Sequence, residues 1–359
     1  MISYRLTALR AFLDEKKVNA VIITKPTNLH YFSGFTGDST VLIITRKRNI
    51  LITDGRYIEQ AKVEAPKFEL IEQTEGLLKK VSEVLTEIGL LSIGFEGNFL
   101  TVDELDKLKE LSPKLKLTSI KVDELRQIKD ETEIAKIEIA CEIADKAFAE
   151  IVKFIRPGMR EFEVAAELEN IMRKLGSQKA AFDTIVASGV RGALPHGIAT
   201  DKIIKRGEFV TMDFGAIYKG YNSDITRTVF VGRADDRQRN LYNTVLSAQL
   251  LGLDTIKPNI SAKEVDATVR THLEKAGFAK YFPHGLGHGV GLEIHEEPRL
   301  SKLSTCEALK PNMIVTDEPG VYLPNYGGIR IEDTVLVTDS GARALTKSDK
   351  RLIEINPLS

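Results

Sequence analysis

Short β-rich apolar runs alternate with helical patterns along the first third of the chain. Ala20–Thr24, Val41–Thr45, Ile50–Thr53 and Leu91–Phe95 read as strands. Arg5–Lys17, Tyr57–Glu64 and Glu75–Ile88 read as helices, with another after Thr101. That alternation predicts a small α/β domain. The polar stretch Arg126–Thr132 interrupts it, so residues 1–127 are assigned to the α/β domain and residues 128–359 to a second one. From Glu131 a long amphipathic helix runs to Ile155, where Arg-Pro-Gly at 156–158 stops it.

The second part carries a duplication. I-R-P-G-M-R-E-F-E-V-A-A-E-L-E-N-I-M-R-K-L-G (155–176) lines up without a gap on I-K-P-N-I-S-A-K-E-V-D-A-T-V-R-T-H-L-E-K-A-G (256–277). Ile, Pro, Glu-Val and the closing Gly coincide. Further on, V-T-M-D-F-G (210–215) matches V-T-D-E-P-G (315–320), and G-Y-N-S-D-I-T (220–226) matches G-I-R-I-E-D-T (328–334). These matches place Asp213 on Glu318 and Asp224 on Glu332.

Each half therefore holds a hairpin flanked by two acids. In the first, the midpoint of Asp213 and Asp224 falls between Tyr218 and Lys219, inside the turn Ala216–Gly220. The two carboxylates are then expected directly opposite each other. In the second, Glu318 and Glu332 centre on Asn325, within the turn-rich P-N-Y-G-G. Opposed strand residues have Cβ atoms about 4.5–5.5 Å apart, and like charges so placed destabilise a sheet. A pseudo-twofold packing of the halves brings four acids together, which a water-free interior tolerates only with cations between them.

Four of the six histidines fall in informative places. His196 lies in P-H-G before the first hairpin. His284, His288 and His295 lie in H-G-L-G-H-G-V-G-L-E-I-H-E-E-P-R (284–299), between the hairpins of the two repeats. A neutral imidazole ligates zinc, manganese, cobalt or iron, and four acids with one histidine suit two divalent ions sharing carboxylates. The glycines of this segment are expected to let the backbone crowd the metals. Residues 295–298 read H-E-E-P, so the helix-borne H-E-x-x-H zinc site is absent.

Composition narrows the class further. Lys and Arg total 50 against 51 acids, a formal charge of −1, which gives no electrostatic case for nucleic acid or an anionic membrane. No apolar run approaches the roughly 20 residues that span a bilayer. The start of the chain is too densely charged for a secretory signal and reads as an amphipathic helix. Cys141 and Cys306 alone make neither a disulfide framework nor a thiolate zinc site. A cytoplasmic protein is the simplest reading.

Taken together, M-D-F-G…S-D-I-T-R-T, H-G-L-G-H-G-V-G-L-E-I-H-E-E-P-R, D-E-P-G-V-Y and G-G-I-R-I-E-D-T resemble the "pita-bread" metallopeptidases. The branch they are most similar to is that of the Xaa-Pro peptidases, prolidase (Xaa-Pro dipeptidase) and aminopeptidase P. The catalytic resemblance spans roughly the last two thirds, and the N-terminal α/β domain matches the creatinase-like appendage of this branch. It implies an α+β pita-bread domain with an internal pseudo-twofold duplication.

The same resemblance implies that Asp213, Asp224, His288, Glu318 and Glu332 hold two divalent ions, manganese or cobalt, with zinc or iron as alternatives. Asp224 and Glu332 would bridge both ions. His196, His284 and His295 match the family's outer-shell and substrate-contacting histidines, and Arg299 and Arg330 match arginines near its substrate pocket. The implied reaction is hydrolysis of the Xaa-Pro bond at the N-terminus of dipeptides or short peptides, by a hydroxide bridging the two metals. His295 would stabilise the oxyanion, and Glu318 would carry a proton to the departing proline nitrogen. Proline-containing peptides as substrates and a homodimer are the expected partners.

Other families share parts of these motifs. Methionine aminopeptidases share the five ligands but usually lack an N-terminal domain of this size. A broader aminopeptidase remains an alternative on the same site. Creatinase shares the fold without metals and lacks the full ligand set, and non-catalytic binding modules of this fold have lost ligands that this chain keeps.

Overall fold

The amphipathic start of the chain forms α1 (Ile2–Glu15), which buries Leu6, Leu9, Phe12 and Leu13. It leads into β1 (Ala20–Ile23), buried at every position. In this computed structural model, which describes residues 1–355, the chain divides into two units, Met1–Arg126 and Gln127–Ser359. The first unit continues with α2 (Pro26–Ser33), β2 (Val41–Thr45), β3 (Asn49–Thr53), α3 (Ile58–Glu64), β4 (Glu69–Glu72) and α4 (Leu77–Ile88). It ends with β5 (Ser92–Phe95), α5 (Val102–Leu111) and β6 (Lys116–Ser119).

These strands form one mixed sheet in the order β4-β3-β2-β1-β5-β6. Its centre is β1, antiparallel to β2 and parallel to β5. Three elements lie outside the strands and helices read from the sequence. The edge strands β4 and β6 are polar and half-exposed, so no apolar run marks them. Helix α2 begins on Pro26 and ends at Gly34 with φ 84°, and is only eight residues long. The buried Glu96 carboxylate receives the Thr24 and Lys25 amides at 2.6 and 2.8 Å at its start, a partner remote in sequence.

The second unit opens with α6 (Glu131–Phe154), whose Asp130–Glu133 capping box fixes its start. Then come α7 (Glu161–Lys174), β7 (Ile185–Ser188), β8 (Glu208–Phe214), β9 (Ile217–Tyr218), β10 (Tyr221–Asn222) and β11 (Ile225–Val231). The duplicate follows as α8 (Asp236–Thr255), α9 (Ala262–Lys275), β12 (Gly287–Gly289), β13 (Glu296–Leu300) and β14 (Ile314–Asp317). It closes with β15 (Gly320–Leu323), β16 (Gly327–Arg330), β17 (Asp333–Val337), β18 (Ala342–Ala344) and β19 (Glu354–Ile355). Helices α7 and α9 are both 14 residues long, and both are followed by a left-handed glycine, Gly176 and Gly277. The repeat read from the sequence is thus a repeat of structure.

Each half buries its own helix pair against its own sheet. One sheet runs β19-β11-β8-β7 and the other β13-β12-β14-β17-β18. Val164, Leu168, Val210 and Val229 belong to the first core, and Val265, Val269, Val315 and Val335 to the second. The acids sit at the ends of interior strands of the two sheets: Asp213 near the end of β8, Asp224 just before β11, Glu318 just after β14 and Glu332 just before β17. Among the described residues, no helix is long and apolar enough to cross a membrane.

Candidate metal centre

The first hairpin is built differently from the expectation. Across β8 and β11, Asp213 pairs with Thr226 and Phe214 with Ile225, and across β9 and β10, Tyr218 pairs with Tyr221. One register runs throughout, set by a two-residue turn in which Lys219 and Gly220 have φ of 47° and 83°. A turn with both central residues left-handed matches the twist of the flanking strands. It centres the hairpin one residue later than the midpoint of the two aspartates. Asp224 is therefore a diagonal neighbour of Asp213, two residues nearer the turn than Thr226.

The second hairpin keeps the opposed arrangement. Gly320 pairs with Arg330 across β15 and β16, and Asp317 with Asp333 across β14 and β17. The register is the same in both ladders, so Glu318 and Glu332 face each other in the gap between them. Asn325, with φ 61°, sits at the centre of the loop.

His288 comes from β12, between β13 and β14. A Cβ on Gly287 would lie 2.0 Å from the Thr316 carbonyl, and one on Gly289 2.5 Å from the Glu297 carbonyl. The glycines here make room for neighbouring strands, not for metals as the sequence reading expects. His288 Nδ1 lies 3.0 Å from the Gly289 carbonyl, which only accepts, so Nδ1 carries the proton. The bare Nε2 faces Asp224 Oδ2 at 3.5 Å and Glu318 Oε1 at 3.6 Å. Burial, with His295 adding, pushes the His288 pKa down to about 3, so the ring is neutral.

All ten residues singled out from the sequence line one cavity of about 460 Å³: Asp213, Asp224, Glu318, Glu332, His196, His284, His288, His295, Arg299 and Arg330. The carboxylates crowd one another there. Burial raises Asp224 well above the usual carboxylate range, and Glu332, Asp213 and Glu318 raise it further. Burial likewise raises Glu332, with Glu318 and Asp213 adding. Glu318 is pushed up to about 8 by burial and Asp213, against the pull of Arg330.

The remaining residues divide between the cavity wall and its mouth. Arg330 is buried and binds Asp213 Oδ2 at 2.6 Å, the Tyr322 hydroxyl at 2.7 Å and the Pro195 carbonyl at 3.2 Å. His284 gives its Nδ1 proton to the Gly285 carbonyl at 2.8 Å, and its Nε2 accepts from the Tyr322 hydroxyl at 2.8 Å. Both its nitrogens are committed to the protein. Tyr322 escaped the sequence reading, although it ends the motif D-E-P-G-V-Y, because a lone tyrosine carries no spacing signal. His196, His295 and Arg299 are exposed at the mouth. The His295 ring meets that of His288 edge-on at 4.4 Å. Arg299 makes no side-chain ion pair among the described residues.

The donor set fits divalent cations. Ligand atoms of Asp224, His288 and Glu332 all lie within 4.8 Å of one another. Asp213 Oδ1 is buried without a hydrogen-bond partner. An imidazole lone pair aimed at two ionised carboxylates is repulsive unless a proton or a cation lies between them.

Comparison with known proteins agrees with this chemistry. Residues 135–339 match the model of metallopeptidase family M24, and residues 5–128 that of the creatinase/prolidase N-terminal domain. The chain is 43% identical to the Xaa-Pro dipeptidase of Pyrococcus furiosus, over 97% of this chain and 99% of that protein. An Xaa-Pro dipeptidase structure from Bacillus anthracis superposes with a TM-score of 0.96 at 43% identity, covering 99% of this chain and 100% of that one. An X-Pro aminopeptidase structure from Thermotoga maritima gives 0.90 at 37% identity, over 98% and 100%.

Proposed function

Since the chain belongs to metallopeptidase family M24, we propose that it hydrolyses the Xaa-Pro bond of proline-containing dipeptides and short peptides. The observation that carries this reading is the bare His288 Nε2 facing Asp224 and Glu318 in a buried acid cluster. Asp213, Asp224, His288, Glu318 and Glu332 are the residues that would hold two divalent cations, manganese or cobalt by the family's habit. Such cations, when bound, supply Lewis acidity and bring the pKa of a water toward neutrality.

The chain's own residues supply the rest. Arg330 holds the Asp213 carboxylate from one side, leaving Oδ1 free to ligate. The Tyr322–His284 pair braces Arg330 and takes no direct part. In this reading His295, with His196 beside it at the mouth, donates a hydrogen bond to the oxyanion that forms on the scissile carbonyl. The Glu318 carboxyl, in this reading, carries a proton to the departing proline nitrogen. An acylated proline nitrogen has no N–H, so peptidases that need that donor handle it poorly. None of the residues named here requires it.

Arg299 favours the dipeptidase form of the reaction. An exposed guanidinium without an ion-pair partner is suited to grip a free proline carboxylate in a fork. Manganese- and cobalt-loaded enzyme is to be assayed on Leu-Pro, Leu-Pro-Gly, Leu-Ala and Met-Ala-Ser. Leu-Pro is expected to be preferred, and Arg299→Ala to raise its KM about tenfold while sparing Leu-Pro-Gly. Preference for Met-Ala-Ser would replace this reading with a methionyl aminopeptidase.

A further inference from the structure

The duplication repeats a threonine as well as the acids. Thr226 and Thr334 close the matched stretches G-Y-N-S-D-I-T and G-I-R-I-E-D-T, and both are fully buried. Each hydroxyl crosses to the acid of the other half. Thr334 Oγ1 donates to the Asp224 carbonyl at 2.7 Å and accepts from the Asp224 amide at 3.2 Å, and the side chain it meets is the buried Cys141 thiol, not a carboxylate. The Thr226 carbonyl accepts from the Glu332 amide at 3.1 Å, the backbone half of the same clasp. Its hydroxyl goes further and reaches the Glu332 side chain.

The direction of that hydroxyl is determined. Arg330 Nε–H donates to Thr226 Oγ1 at 3.0 Å, and an arginine cannot accept. The single hydroxyl proton is therefore left for Glu332 Oε2, 2.6 Å away. A carboxylate oxygen has a second lone pair, so this bond leaves Oε2 able to ligate. The difference between the duplicates follows from side-chain length. Asp224 is one methylene shorter than Glu332, and its carboxylate is placed by its own backbone once Thr334 has pinned that. Glu332 has an extra rotatable bond, which an oriented donor must fix.

We propose that Thr226 is a positioning residue that orients the Glu332 carboxylate for cation binding, whereas its duplicate Thr334 clasps the hairpin backbone at Asp224 and touches no ligand carboxylate. The inference rests on Glu332 being a metal ligand. Hydrogen-bond partners of ligating carboxylates typically contribute 10–100-fold to metal affinity or activity.

Metal-depleted wild-type protein, Thr226→Val, Thr226→Ser and Thr334→Val are to be titrated with manganese by calorimetry, with unfolding midpoints measured on the metal-free forms. Thr226→Val is expected to bind manganese about 10–100-fold more weakly and to lose kcat with KM for Leu-Pro unchanged. Thr226→Ser restores both. Thr334→Val lowers the unfolding midpoint and leaves manganese affinity unchanged. Should Thr226→Val fail to fold, Thr226→Ala removes the hydroxyl without adding a methyl against Arg330 and carries the same comparison. Wild-type-like manganese affinity in the hydroxyl-free variant, or an equal loss in Thr334→Val, overturns the positioning role alone. A wild-type protein that binds no manganese overturns the metal centre and this role with it.

Discussion

Two acid pairs stand back to back on the second hairpin, and the chain surrounds them differently. Asp317 and Asp333 are directly paired across β14 and β17, and one residue along Glu318 and Glu332 face each other toward the cavity. Successive strand residues point to opposite faces, so the two pairs do not share surroundings. Asp333 receives Arg227 Nη2 and Lys350 Nζ, both at 2.7 Å, and Gln249 Nε2 bridges it to Asp317 at 3.0 and 3.2 Å. Although burial pushes Asp333 up, Arg227 and Lys350 outweigh it and hold the carboxyl below its usual range, while burial and Asp333 keep Asp317 well above its own. Glu332, its neighbour in sequence, is raised instead. On one face, side-chain cations built into the fold hold Asp333 charged; the other face carries the donor set that exchangeable cations suit. Permanent charges stabilise; exchangeable ones confer chemistry.

The largest expected effect lies on the cavity face. Asp224→Asn keeps the shape and removes the charge, and hydrolysis of every Xaa-Pro substrate is expected to fall to background in a steady-state assay. Residual activity near that of wild type would remove Asp224 from the ligand set. On the opposite face, Arg227→Met leaves the buried Asp333 carboxylate with Lys350 alone. A loss of about 3–5 kcal/mol is expected in chemical denaturation, the cost of breaking a buried ion pair by removing one partner. An unchanged midpoint would show that the Asp317–Asp333 pair does not depend on Arg227.

The third test uses pH on the metal-free protein. Glu318 is raised from 4.5 to about 8, so its folded form holds a proton that the unfolded chain has released. Protons bound in excess by the folded state make stability fall as pH rises through that window. Unfolding midpoints of the metal-free protein are therefore expected to decline between pH 4.5 and about 8, and manganese to flatten the slope. Asp333 works in the reverse sense: its contribution is lost as pH drops below its ordinary range.

The chemistry was more legible in the sequence than the pairing. All ten candidate residues line one cavity because both halves repeat the acids at matched positions, and because the histidines cluster in one glycine-rich segment. The register of the first hairpin was not legible. A midpoint between two acids assumes a symmetric turn, and the left-handed Lys219–Gly220 pair moves the centre by one residue. The second acid pair was hidden for a different reason. Asp317 adjoins Glu318 and Asp333 adjoins Glu332, so one run of acids looks like one site until the alternation of strand faces separates them. Arg227 and Lys350 are remote from those acids in sequence, and only the fold brings them in. Helix α2 and the polar edge strands of the first unit lacked the apolar periodicity that marks the others.

The most direct measurement is a crystal structure of manganese-loaded protein with an anomalous difference map collected at the manganese edge. Two peaks are expected, enclosed by Asp213, Asp224, His288, Glu318 and Glu332, and none beside Asp317 and Asp333, where Arg227 and Lys350 already supply the positive charge. A map with no peak among the first five residues, or with its peaks at the other acid pair, would contradict the convergence of the two halves on a shared pair of cations.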